Sequence, residues 1–467
     1  MRLPVLITLC FSFNLSAQVD NKSILTFTKF IERVKNHHPL AVQADLKLNQ
    51  GNASLRTARG NFDPKAYSAV SQKYFSDKQY YSLINSGLKI PTWYGIEVGA
   101  GYSQNEGVFL NPEHNTPGAG LWYAGVSVPI GQGLFIDQRR VALNQAKIYQ
   151  ESTSTERDWL YNELIYNASQ AYWNWFEAYN NIIVYDNVLQ VALQRFDAVK
   201  KGVLFGDRPP IDTVEAAIQV QNRTLNLQEA ELNYKNSTAL LSTYLWVDGI
   251  VPLEVNETTH PIKLQELSTI SPDKELRIIL DSLTNNHPLL KLSQYKISQL
   301  KIDKKWKQEQ IKPQVNLKYN AINQPIGNDV FANYTANNYI WGITFSSPIF
   351  LRKERGSLEL AKLKINVAEL DLLAKQANIK YKAIAALNDL EYTQNQVNLY
   401  ARTVNDYAAL LEGERKMFNA GESSLFMVNS RESGYINTQL KYIELLTKNQ
   451  KAAVSVNYAF GLLSTKE

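Results

Sequence analysis

Cysteine is almost missing from this chain: the single one, Cys10, falls in an N-terminal stretch that reads as an export signal. Arg2, the apolar run from Leu3 to Phe13 and the small residues Ser16 and Ala17 before Gln18 form the pattern, with cleavage expected after Ala17. A chain cut there would hold no cysteine, which excludes disulfides and thiolate metal sites. The alternative is a lipoprotein with Cys10 acylated, but Leu9 stands where a small residue is needed. Long apolar runs are also missing: nothing beyond residue 17 approaches the roughly 20 residues of a membrane helix. Charge of one sign is missing too, with 49 basic against 44 acidic residues and a formal net charge of +5. The densest basic run, Lys301 to Lys307, is broken by Asp303 and Trp306 on a helical pattern and reads as a solvated helix face, so no nucleic-acid partner is expected. The five histidines, His37, His38, His114, His260 and His287, show no metal spacing, and no nucleophile elbow, phosphate loop or zinc-protease motif is present. No catalytic residue, metal or cofactor follows from the sequence.

What is present is a doubled order of elements. His38-Pro39-Leu40 returns as His287-Pro288-Leu289, and the strand-opening Pro64 returns as Pro313 at the same offset. By Pro129 and Pro348 the offset has shortened, so the first copy carries roughly 30 extra residues between its strands. The copies are expected over 18–246 and 274–467, with a Pro- and Gly-bearing connector at 247–273. His38 and His287, each preceding a proline, are read as structural.

Each copy holds a very long helix. From Asp137, a natural N-cap, to about residue 204 no proline or glycine intervenes before Gly202. At 1.5 Å per residue such a rod is about 100 Å long. The second spans 353–418, with Leu360, Leu363, Val367, Leu370, Leu373 and Ala377 at spacings of three and four. Glycine-containing turns at 202–212 and 418–427 lead into returning helices, expected at 211–246 and 425–463. The aromatic cluster Tyr172, Trp173, Trp175, Phe176 and Tyr179 lies mid-rod and is read as a packed seam.

The strands are expected at 64–76, 121–130, 313–321 and 339–349. Trp122, Ala124, Val126, Val128 and Ile130 share one face, with Tyr123, Gly125, Ser127 and Pro129 opposite. In the second copy Trp341, Ile343 and Phe345 oppose Gly342, Thr344 and Ser346. A soluble sheet with one wet face has the same period. The export signal and the missing membrane helices favour transmembrane strands, with Trp122, Val126, Val128, Trp341, Ile343 and Phe345 facing lipid. Four strands cannot close a barrel alone, so several chains must combine. The segment 76–120 alternates again around Val98 and Ala100, and is read as an extracellular hairpin extending the barrel or as two further membrane strands; Glu97 and its Asn- and Gly-rich flank favour the first.

On this doubled plan, with Val128-Pro129-Ile130 and Ser347-Pro348-Ile349 closing the strands and glycine turns closing the rods, the chain resembles the TolC-like outer-membrane efflux proteins. The resemblance implies a mainly α fold with membrane β: two repeats of coiled-coil hairpins plus strands, and a homotrimer whose twelve-stranded outer-membrane barrel continues into a periplasmic α-helical barrel. It implies a passive exit duct, reached through a periplasmic membrane-fusion adaptor from an inner-membrane pump of the resistance-nodulation-division or ABC type. The tips would dock the adaptor through Gly206, Asp207, Arg208, Pro209, Pro210 and Asp212 on one turn and Gly421, Glu422, Ser423 and Leu425 on the other. Asp212 matches the family's tip aspartate, and a helix-capping role alone also accounts for it. Ser423 stands where some members place an arginine, and Met427 and Ser430 where some place aspartates. A constriction built from Asp212, Phe418, Met427 and Ser430 would then be more apolar than theirs. The rival reading is a periplasmic coiled-coil adaptor or scaffold without a pore. Such an adaptor carries one hairpin flanked by small β-domains, whereas two hairpins are expected here.

Overall fold

The computed structural model describes residues 24–464, apart from 249, 257, 279, 326, 328 and 333. The export segment and Cys10 lie outside the described residues. In chain order, helices α1 (Phe27–His37) and α2 (Pro39–Gly60) precede strands β1 (Lys65–Phe75), β2 (Lys78–Pro91), β3 (Glu97–Glu106) and β4 (Leu121–Pro129). Helices α3 (Gln138–Leu204) and α4 (Pro210–Ser242) follow, then the short β5 (Trp246–Val247) and β6 (Val251–Pro252). Helices α5 (Lys274–Ile278), α6 (Leu280–Asn285) and α7 (Pro288–Glu309) lead to β7 (Gln314–Asn323) and β8 (Tyr339–Ser346), and α8 (Arg352–Asn419) and α9 (Leu425–Phe460) close the chain. No described helix is long and apolar enough to cross a membrane.

The chain divides into two compact units, each drawing on both halves of the sequence. One comprises residues 40–164, 273–388 and 455–464 and contains the large sheet. All six of its strands are antiparallel neighbours, in the order β1-β2-β3-β4-β7-β8. The count differs from the expected four because the 76–120 segment is not a projection beyond β1 and β4. It forms β2 and β3, which lie between those strands and separate them. The physical reason is a row of four residues, Tyr67, Gly87, Gly101 and Tyr123, opposite one another across four strands. A Cβ on Gly87 or Gly101 would strike a tyrosine ring or hydroxyl, so the two rings lie over the glycines and their hydroxyls hydrogen-bond to each other. Glycines that weaken a strand on propensity grounds here make room for aromatic cover.

Helices of the same unit pack against one another. Leu55, Ala58 and Phe62 of the α2 segment meet Leu143 and Ala146 of α3. Gly51 lets α2 approach α3 closely, since a Cβ there would lie 2.9 Å from Thr153. Asp137 caps α3, accepting from the Arg140 N–H at 2.8 Å. His287 caps α7: its Nδ1 accepts from the Leu289 N–H at 3.2 Å while its ring lies 5.7 Å from that of Trp159. The end of α9 is held by Asn162, which donates to the Tyr458 carbonyl at 3.2 Å and accepts from Leu463 at 3.1 Å.

The other unit comprises residues 24–39, 165–272 and 389–454. Tyr172, Trp175 and Phe176 of α3 are fully buried there, with Phe27 and Phe30 of α1 against Tyr172. Their polar handles find partners: Tyr172 donates to the Leu25 carbonyl at 2.9 Å and Trp175 to Thr238 of α4 at 3.1 Å. The connector is pinned to α9 by Asn449, which bonds both the N–H (2.8 Å) and the carbonyl (3.1 Å) of Ile270, and by Gln450, which donates to the Ser268 carbonyl at 2.7 Å.

His287 yields a pH prediction. Burial, with Lys382 adding repulsion, pushes its pKa down from 6.5 to about 4, and burial also lowers that of His38. Between about pH 4 and 6.5 the unfolded chain therefore binds more protons at residue 287, so stability falls as the solution is acidified through that window, by a limit of roughly 3 kcal/mol. Protonation would also remove the cap acceptor on Nδ1. Denaturant unfolding at a series of pH values should show this decline, and His287→Gln should flatten it; an unchanged slope in the variant contradicts the assignment.

Candidate functional site

Two features can carry function, one in each unit. The first is the pair of glycine turns, which lie side by side. At the end of α3, Gly206 takes φ +80° while its N–H bonds Val203 and that of Asp207 bonds Gly202. At the end of α8, Gly421 takes φ +77°, with its N–H on Phe418 and that of Glu422 on Met417. Both are left-handed helix stops that satisfy orphan carbonyls, and a side chain there would be strained. Val199, Ala216 and Leu425, with Phe196 and Phe418 against them, form the small core joining the hairpins.

The expected tip residues fall into distinct positions on this frame. Gly206, Asp207, Pro209, Pro210, Gly421 and Glu422 are exposed. Arg208 lies over the Phe418 ring at 4.5 Å and 3.7 Å from the Asp212 carboxylate, in the first turn of α4. Ser423 is half-buried and donates to Glu414. Leu425 is buried, so it packs the turns together rather than presenting a surface. Of the residues assigned to a constriction, Phe418 and Met427 are half-buried and Ser430 is exposed. Large exposed apolar side chains flank the turns, namely Leu204, Phe205, Ile211 and Phe426.

Behind the turns lies an ionic node that spacing in sequence does not reveal. Arg195 grips the buried Glu432 carboxylate with two 2.8 Å hydrogen bonds, and Arg415 adds a third contact at 3.2 Å. Asn429 accepts from Arg195 at 3.0 Å and donates to Glu215 at 2.8 Å, which ties α3, α4, α8 and α9 together. The only sequence signal is charge set among apolar helical positions.

The second feature is the two-faced sheet. Register places Trp341 opposite Tyr319 and Tyr319 opposite Val126, and likewise Ile343, Leu317 and Val128 in line. All six residues assigned to lipid, Trp122, Val126, Val128, Trp341, Ile343 and Phe345, therefore share one face, which also carries Val98 and Ile90 of β3 and β2. The opposite face borders a hollow of about 900 Å³ lined by Glu97, Ser127, Asn316, Lys318, Gly342 and Thr344 among others. Within it Arg139 reaches Glu97 at 3.2 Å. Across β4, β7 and β8 one face is apolar and bare, while the other is mostly small and polar and carries Lys318. Among the described residues no group of three His, Cys, Asp or Glu side chains is placed to hold a metal.

Replacing Glu432 by Gln leaves Arg195 and Arg415 without their carboxylate, and breaking a buried pair on one side costs about 3 kcal/mol or more. Thermal or denaturant unfolding of Glu432→Gln should show that loss, and a midpoint equal to that of the unaltered protein contradicts the role given to the node.

No family model and no curated sequence matches the chain. Solved structures do. The open state of the Neisseria gonorrhoeae MtrE outer membrane channel aligns with a TM-score of 0.69 at 12% identity, covering 93% of this chain and 88% of that one. The outer membrane protein VceC of Vibrio cholerae aligns at 0.67 and 13%, covering 93% and 96%. The Campylobacter jejuni CmeC outer membrane channel aligns at 0.65 and 16%, covering 93% and 85%. At these identities the likeness is one of fold, and it extends over nearly the whole chain. The chain has the fold of the TolC-like outer-membrane efflux channels.

Proposed function

We propose that the protein is an outer-membrane channel-tunnel, a passive exit duct that performs no chemistry. The observation that carries this reading is the sheet with one apolar, bare face and one polar face bordering a hollow, joined in one chain to helices of 67 and 68 residues. An apolar face of Trp, Ile, Phe and Val suits lipid, and a face of Gly, Ser, Thr, Asn and Lys suits a water-filled lumen. In this reading the chain is a homotrimer built on a doubled plan, its barrel lies in the outer membrane, and its helices form a tunnel through the periplasm. The tunnel receives substrate from an inner-membrane pump of the resistance-nodulation-division or ABC type through a membrane-fusion adaptor. The exposed tips, Gly206 to Pro210 with Gly421 and Glu422, are the docking surface, and Arg208, held by Phe418 and Asp212, orients the first turn. Phe418, Met427, Asp212 and Ser430 surround the constriction, which is therefore less anionic than an aspartate ring.

Two measurements test this. Outer-membrane fractions should yield a heat-modifiable trimer; recovery only from the soluble periplasm would support the poreless adaptor reading instead. Changing Arg208 to Glu with Pro209 and Pro210 to Ala should lower co-purification of the adaptor at least tenfold while leaving the trimer intact. Undiminished adaptor recovery removes the docking role from this turn.

A further inference from the structure

We propose that the barrel of this protein has eighteen strands, six from each of three chains, and that β8 of one copy pairs directly with β1 of the next. The proposal rests on the trimeric channel reading above and departs from its expected twelve-stranded barrel.

Four observations in the sheet-bearing unit support it. First, β1 and β2 cannot be set aside as an appendage. The β2–β3 ladder runs without interruption from Ser82 opposite Glu106 to Pro91 opposite Glu97, and Tyr67 on β1 reaches across two strands to the Tyr123 hydroxyl on β4. Second, the two edges are bare and of opposite sense. All eight residues of β8 are exposed, as are all but one of β1, and alternation over six antiparallel strands makes β1 and β8 run in opposite directions. A rotated copy can therefore continue the antiparallel ladder at either edge, a heterologous contact that closes into a ring.

Third, the register slants as a closed barrel requires. The row Trp341, Tyr319, Val126, Val98, Ile90 enters at the third residue of β8 and leaves at the second-last residue of β2, already past the start of β1. The outward apolar residues follow the slant: Ala124, Ala100, Leu88 and Ala66 share the next row, and Ile84 opposite Val70 lies beyond the β3–β4 ladder. Outward apolar residues thus reach β1 and β2 on a tilt of the kind that barrels adopt, interrupted there by Ser68 and Ser86, which hydrogen-bond to each other at 2.7 Å.

Fourth, the helices adjoining the two edges carry exposed rows of matching pitch. Just beyond β8, helix α8 exposes Leu360, Leu363, Val367 and Leu370 at three- and four-residue spacing. Just before β1, helix α2 exposes Val42, Leu46, Asn49 and Ala53 at the same spacing. The second row is apolar at Val42 and Leu46, far from the strand in sequence, and ends near it in the small Ala53. A ridge of large apolar side chains beside one edge and this partly apolar, tapering row beside the other suit two copies of one chain, so β8 and α8 would meet β1 and α2 together.

Cysteine cross-linking in outer membranes tests this, in a Cys10→Ser chain. Ala69→Cys in β1 is combined with Gly342→Cys or with Thr344→Cys in β8, which cover the two registers that keep the faces aligned at a strand tilt of roughly 35–45°. A second set combines Gly99→Cys in β3 with the same β8 positions. Oxidation with copper phenanthroline should turn one of the β1–β8 pairs into covalent dimers and trimers and leave the β3–β8 pairs as single chains. A trimer that cross-links through β3 instead has a twelve-stranded ring, which overturns this inference and leaves the channel reading standing. Absence of any trimer overturns both. Electron cryo-microscopy of the unaltered chain counts the strands independently of the cysteine variants, and any number other than eighteen contradicts the proposal.

Discussion

An antiparallel sheet with an apolar outer face cannot simply stop at its last strand. The N–H and C=O groups along β1 and β8 have neighbours on one side only, and in a medium without water each unpaired group costs several kcal/mol. Soluble proteins blunt such edges with prolines, bulges or covering loops. Here β8 is bare from end to end and β1 nearly so, its pairing with β2 shifting register only at Lys73 and Tyr74 near the strand end. The need to complete these two edges governs the rest of the unit. It accounts for opposed edge directions, for the slanted register, and for the exposed rows of side chains on the adjoining helices.

Interior polarity is handled in two ways. On the inner side of the sheet small residues leave a hollow, and two of the charges that line it, Glu97 and Arg139, pair with each other. In the helical unit Glu432, Arg195, Arg415, Asn429 and Glu215 bond to one another, so that four helices meet at one node rather than sliding as smooth apolar rods. Such networks fix register more than they add stability. The glycine turns beyond the node then have a fixed frame from which to project.

Much of this was legible in the sequence where a single period dominates. Alternation from Trp122 to Pro129 and from Trp341 to Ser346 reveals the two faces, because a strand sends successive side chains to opposite sides. Asp137 announces the start of α3, and Gly206 and Gly421 announce helix ends, because only glycine takes the left-handed stop at little cost. Strands β2 and β3 were harder: Gly87, Gly99 and Gly101 argue for loop by propensity. Their role becomes visible only when Tyr67 and Tyr123, 56 residues apart, are seen to cover two of them. The ionic node was invisible for a related reason, since Arg195 and Glu432 stand 237 residues apart and neither carries a local signature. Leu425 reads as a tip residue by position and is a core residue by packing.

The central claim is that the sheet separates lipid from water. Spin labels placed singly from Trp122 to Pro129 in membrane-reconstituted protein measure this residue by residue. The account predicts a period of two: labels at 122, 124, 126 and 128 more accessible to oxygen in the lipid, labels at 123, 125, 127 and 129 more accessible to a water-soluble nickel complex. Equal access of the nickel complex to both faces would mean a sheet lying in water and would contradict the account.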